Sequence, residues 1–144
     1  MSVSYESSYT MDKSTILKAF NKHFFEFLDD IISIFPDRVE IVTGRNSFES
    51  IKRANPTAIV KVWYKYIYIP YAEVIELGNI DYFLEKDYQA DLVNVNNPNR
   101  VLEIIDTLRD PLKSMSDVNK KHSTKYIQNL CKMCKLYTDL AGNV

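Results

Sequence analysis

Apolar residues recur every three to four positions through most of the chain, a helical rather than a strand period. Between residues 12 and 35, Ile16, Leu17, Phe20, Phe24, Leu28, Ile31 and Phe35 form one stripe, widened by Phe25, Phe27, Ile32 and Ile34. Asp12 or Ser14 can cap its start and Pro36 follows its end, so the pattern predicts one long helix. About 24 residues at 1.5 Å each span ~36 Å, the length of a small domain. A helix so broadly apolar is nearly surrounded by protein, or presents a second face to a partner.

The stretch from 37 to 54 is less regular. Val39, Ile41 and Val42 suit a short strand or a helical turn, Gly44 interrupts, and Asn46 or Ser47 can cap a helix carrying Phe48, Ile51 and Ala54. Pro56 stands where a first helical residue belongs. Ile59, Val62, Trp63, Tyr66 and Ile67 then repeat at helical spacing. A strand competes, because Val60, Val62, Tyr64, Tyr66 and Tyr68 alternate and are rich in strand formers. No second clear strand is available to pair with it, so 58–69 is read as helix.

Pro70 is expected to end that element, and Tyr71 to Leu77 to make two turns closed by Gly78. Asn79 can cap a short helix carrying Tyr82, Phe83 and Leu84. Residues 91–99 read as a loop. Pro98 opens a helix with Val101, Leu102, Ile105 and Leu108 inward, and Pro111 breaks or kinks it. Ser116 starts the last helix, which carries Val118, Tyr126, Ile127, Leu130, Met133, Cys134 and Tyr137 before Gly142 and Asn143. Residues 1–10 are polar and aperiodic, and read as a flexible arm. The sum is an all-α fold: one compact domain over 11–141, of five to six helices, its long N-terminal helix packed on the C-terminal one.

Composition narrows the classes. A chain of 144 residues fits one domain and buries enough surface to need no staple. With 46% hydrophobic and 26% charged residues it reads as an ordinary globular protein. A formal charge of −1 predicts no strong global attraction to nucleic acid or anionic membrane. No apolar run approaches the ~20 residues of a spanning helix. The first residues lack the basic and apolar regions of a signal peptide. Two cysteines do not make a secreted disulfide framework, so an intracellular setting is expected.

Catalytic signals are sparse. Cys131 and Cys134 have the spacing of half a zinc site, but only His23 and His122 remain as further soft ligands, and the pair lies in a strongly helical stretch. Core packing is the better reading, since positions i and i+3 share a helix face and free cysteines pack as small hydrophobes. Neither histidine has an identifiable nucleophile and orienting acid. Asp29 and Asp30 point about 100° apart on a helix. No phosphate-binding loop, dinucleotide fingerprint or nucleophile elbow occurs, and no cofactor is implied.

Two patches suggest binding. Residues 55–88 hold the one tryptophan and six of the ten tyrosines. Trp63, Tyr64, Tyr66, Tyr68 and Tyr71 exceed what one face of a short helix can bury, which suggests a partner-binding face. The core reading, with hydroxyls at the rim, and stacking on bases beside Lys61 and Lys65 compete with it. Segment 113–135 carries six lysines against Asp117. Lys121, Lys125, Lys132 and Lys135 share a broad helix face and, with Lys113, suit phosphate contacts. A solvated basic face near a helix C-terminus is the plain alternative.

The phrases FNKHFFEFLDDIISIFPD, FESIKRANPTAIVKVWYKYIYIPY and SMSDVNKKHSTKYIQNLCKM resemble small proteins of nucleocytoplasmic large DNA viruses, of the algal- and giant-virus kind. The resemblance covers about residues 20–137 and fits the Ile-, Asn-, Lys- and Tyr-rich composition of an AT-rich genome. It implies a viral origin and a place in the host cytoplasm or the virion, and it transfers no site. The resulting expectation is a non-enzymatic viral interaction protein, a virion component or adaptor that binds a viral or host protein. The alternative is a nucleic-acid-binding accessory factor that uses the basic 113–135 face.

Overall fold

The structure, a computed structural model, describes residues 12–85 and 109–142, and these are helical with no strand among them. Helix α1 spans Lys13–Ile34. Its start is set by Asp12, whose side chain accepts from the Thr15 backbone N–H at 2.9 Å and so satisfies one of the free donors of the first turn. Its end is Phe35, just before Pro36. Phe20, Phe24, Leu28 and Ile31 are fully buried, as the stripe requires.

Helix α2 (Val39–Ala54) is continuous. Val39 to Val42 are its first turn, the helical of the two readings left open, and Gly44 does not interrupt it, which corrects that expectation. Gly44 is itself buried, with Ile41 and Phe48, on one stripe at i, i+3 and i+7. A glycine there costs about 1 kcal/mol of helix propensity but removes a side chain from the packed face. Pro56 is also not a first helical residue. Asn55 ends α2 and its side chain accepts from the Thr57 N–H at 3.1 Å, so Pro56 sits inside a short Asx turn before α3.

From Ala58 the chain is helical for nineteen residues in three parts: α3 (Ala58–Trp63), a π-helical turn over Tyr64–Tyr68, and α4 (Ile69–Glu76). The helix reading of 58–69 holds, and the stop at Pro70 does not. In the widened turn the Ile69 N–H donates to Tyr64 O, five residues back. An interior proline lacks the N–H and crowds the carbonyl four residues earlier. A π turn immediately upstream relieves that register, so the helix passes through Pro70 with its direction kept. It stops at Gly78. The Gly78 N–H donates to Ile75 O and the Asn79 N–H to Val74 O, both at 2.9 Å, with Gly78 at φ +82°. This is the Schellman geometry that a glycine at that position permits.

Helix α5 (Ile80–Glu85), helix α6 (Arg109–Lys113) and helix α7 (Asp117–Ala141) complete the described fold. Arg109 donates to the Leu84 carbonyl, tying α6 to the end of α5. Pro111 lies buried within the α6 turn. Ser116 caps α7 through the Asn119 N–H, and Gly142 at φ +85° follows its end. Along α7, Val118 is 78% exposed and belongs to no core, whereas Ile127, Leu130, Cys134 and Tyr137 are buried. The arm at 1–10, the loop at 91–99 and the helix expected after Pro98 lie outside the described residues.

Helices α1 and α7 form the most extensive packing of the described fold, as the sequence predicts. The core that α1 shares with α2 and α3 is aromatic. Phe24 stacks against Phe20 at 6.3 Å and meets Phe25, Phe48 and Trp63 edge-on at 5.7, 4.8 and 6.0 Å between ring centroids. These distances suit ring quadrupoles, each pair adding about 0.5–1.5 kcal/mol beyond area burial.

Candidate functional site

The aromatic patch divides. Trp63 and Tyr71 are 3% and 4% exposed. Trp63 packs edge-on against Phe20 and Phe24, and Tyr71 against Phe83. They are core residues, which corrects their place in a partner face. Both sit on the stripe that the helix turns toward α1 and α5. Tyr64, Tyr66 and Tyr68 are half-buried, and Tyr64 and Tyr68 stack in parallel at 5.4 Å. The stacked pair borders α7, where Tyr68 and Lys135 lie close enough to perturb each other electrostatically.

Between these tyrosines and α7 runs a groove of about 560 Å³ lined by Tyr68, Ala72, Ile75, Leu136, Lys132 and Glu76. Its wall is fixed by Gln128, whose side-chain amide donates to Ile75 O at 2.9 Å and Glu76 O at 3.3 Å. Ile75 O already accepts from the Gly78 N–H and Glu76 O lies in the last turn of α4, so one side chain from α7 both adds to the cap of that helix and sets the groove width. Leu136 is exposed despite its size, as is Leu140 one turn further on.

The basic face is present. Lys121, Lys125 and Lys132 are exposed and make no ion pair with any described residue, whereas Lys135 holds Asp139 at 2.7 Å and Lys120 holds Asp81 at 3.2 Å. Lys121 and Lys132 are separated by eleven residues, about 16 Å along the helix. Lys113 is exposed on α6, off this row.

Cys131 and Cys134 are buried free thiols one turn apart on α7. Burial pushes the Cys131 thiol up to about 11, opposed in part by the Trp63 side chain, and raises Cys134 further. Among the described residues no group of three or more His, Cys, Asp and Glu is placed to hold a metal ion. No helix of the described residues is long and apolar enough to cross a membrane.

Two arrangements are not legible in the sequence. The two histidines of the chain flank one ring: His23 lies 4.8 Å and His122 5.3 Å from Tyr126. The i,i+4 spacing of His122 and Tyr126 can be read directly, but the arrival of His23 from α1 cannot. The second is a groove of about 600 Å³ between α1 and α2, with Lys18, Lys22, Arg45, Lys52 and Arg53 in its walls. Comparison with protein-family models, with curated proteins and with solved structures gives no match.

Proposed function

We propose that this chain is a non-catalytic interaction protein, and that its partner docks in the groove between Tyr68 and Leu136. The observation that carries the reading is an apolar floor (Tyr68, Ala72, Ile75, Leu136) with charged groups at the rim. That is how protein interfaces are built, a dry centre and a polar edge. At the rim Lys132 and Glu76 make no ion pair with any described residue, which suits a partner segment that offers one large apolar side chain flanked by charges of both signs, with Lys125 and Lys121 extending the positive side along α7. Its place in a viral assembly, as virion component or adaptor, rests on the sequence resemblance.

The test separates the surface from the core. Leu136→Asp and Tyr68→Ala should abolish association with the partner while the melting temperature stays near that of the parent. Trp63→Ala should lose both together. Association that survives Leu136→Asp in a folded protein would sink the reading.

The unpaired lysine row supports a second reading, contact with nucleic-acid phosphates. Removing a lysine that neutralises a phosphate should flatten the salt dependence of binding, by close to one unit of slope per lysine. Lys121→Glu with Lys125→Glu should therefore lower affinity for single- or double-stranded DNA or RNA and reduce that slope. An unchanged slope removes this alternative.

A further inference from the structure

The groove between α1 and α2 is not uniform along its length. At one end its acids and bases neutralise each other. Asp29 accepts from Arg45 Nε at 2.6 Å, and Glu49 lies 3.7 Å from Arg45 and 3.1 Å from Lys52. Arg45 and Lys52 also sit over the Phe25 ring, at 5.2 and 5.0 Å from its centroid. The third acid, Glu26, lies 3.7 Å from His23. The antiparallel run of the two helices, read from Asp29 opposite Arg45, brings Lys18, Lys22, Arg53 and Pro56 together at the other end.

There the charge is uncompensated. Lys18, Lys22 and Arg53 are exposed and make no ion pair with any described residue. Lys18 and Lys22 are like charges at i,i+4, an arrangement that disfavours the helix. Arg53 has an ordinary explanation, because the last turn of α2 favours a cation. Lys18 and Lys22 lie in the body of α1, beyond the reach of either helix end, and Glu26 at i+4 from Lys22 is set against His23. Asn21 stands between them, buried, and donates from Nδ2 to Pro56 O at 3.0 Å. That bond pins the turn after α2 to α1 and leaves Asn21 Oδ1 as a buried acceptor with no partner.

We infer that this groove binds a phosphate monoester of about mononucleotide size. Lys18, Lys22 and Arg53, at its uncompensated end, take the phosphate, and the rest of the ligand lies along the groove toward Phe25. Three cations on one groove with no ion pair to a described residue suit a group that carries close to two negative charges at neutral pH. The volume lies within the roughly 300–1,000 Å³ of small-molecule sites, too large for a bare ion alone. The site is separate from the groove at Leu136, so the two readings stand or fall independently.

The experiment titrates the full chain at low salt with adenosine monophosphate, following amide shifts by NMR. Adenosine and an oligothymidylate without terminal phosphate are run beside it. The expected result is saturable binding of the nucleotide with a Kd of about 1 mM or tighter, shifts clustered at residues 18–22 and 53–56, and none with adenosine. Lys18→Glu with Lys22→Glu should weaken it by about tenfold or more, and Arg53→Gln should also weaken it. Lys121→Glu with Lys125→Glu should leave it unchanged. Absence of saturation overturns the proposal, as does equal weakening by the α7 pair. Tighter binding of the oligothymidylate through these residues would also overturn it, because the site would then read backbone phosphates. Both groove variants are exposed substitutions, and their far-UV spectra establish that they are folded.

Discussion

The ring of His23 on α1 lies 4.8 Å from that of Tyr126 on α7, with Phe27 on the same tyrosine at 5.3 Å. The pair sits on the seam between the two longest described helices, so the charge state of His23 bears on the whole fold. Burial lowers the His23 pKa below its ordinary value of 6.5, opposed by Glu26, and its Nε2 has no hydrogen-bond partner. Glu26 and Asp30 of α1 also act on the Tyr126 hydroxyl, raising its pKa after burial has done so. The folded state therefore binds fewer protons at His23 than the unfolded chain does. Stability rises with pH wherever that holds. It should be full above the ordinary histidine value and fall as pH drops through it, with the loss complete below the folded pKa. Urea unfolding at about pH 5 and pH 7.5, a range that brackets histidine titration, should show the drop. His23→Gln should flatten it.

A second prediction concerns Phe24, the ring that meets Phe20, Phe25, Phe48 and Trp63. Phe24→Ala strips packing from four rings at once and should cost about 3–5 kcal/mol, the range for a truncated core aromatic. Tyr66→Ala, at a half-buried ring, should cost much less. Chemical denaturation of the two variants decides the order. Equal destabilisation would mean that the aromatic core is spread over the whole cluster rather than centred on Phe24.

Much of this core is legible because Phe20, Phe24, Leu28 and Ile31 repeat at a spacing that only a helix turns to one side. Gly44 and Pro70 mislead for one reason: local propensity marks them as breaks, and tertiary context overrides it. Gly44 falls on the buried stripe with Ile41 and Phe48. Pro70 follows a π turn that nothing in the local pattern announces. Trp63 and Tyr64 are neighbours in sequence, yet one is core and the other half-exposed. A count of aromatics cannot divide them, because the division depends on which side faces α1. Both grooves are products of two helices meeting. Lys18 and Lys22 can be paired by eye at i,i+4, but Arg53 reaches them only through the α1–α2 turn.

Gly78 offers a test of backbone conformation isolated from packing. It sits at φ +82° at the end of α4, and a Cβ built there would meet nothing within 4 Å. Gly78→Ala should therefore destabilise by about 1–2 kcal/mol, the cost of a side chain in the left-handed region, with no clash added. Gly78→Asn should recover part of it, since asparagine tolerates that conformation better. Thermal melts of the pair measure the difference. A neutral alanine variant would show that the turn relaxes to negative φ.

The buried thiols report on how firmly the helix at 58–76 is held against α7. Cys131 lines the groove beside Tyr68 and Gln128, and Cys134 lies one turn deeper in the core. With Cys131 raised to about 11, its thiolate is about one part in a thousand near pH 8, whereas an unperturbed thiol is substantially ionised there. Native protein should therefore react slowly with a thiol-specific disulfide reagent, and denatured protein should react at both positions at once. The order of native labelling carries the information. Fast reaction of Cys131 with Cys134 still protected would mean that α4 and α7 part locally, widening the groove proposed to receive a partner. Equal slow rates that track global stability would mean that the groove keeps its width until the whole domain unfolds. The second outcome is expected, because Gln128 bridges the groove wall to two α4 carbonyls and α4 cannot move away without exposing them. Gln128→Ala should then accelerate Cys131 labelling ahead of Cys134, converting the second behaviour into the first.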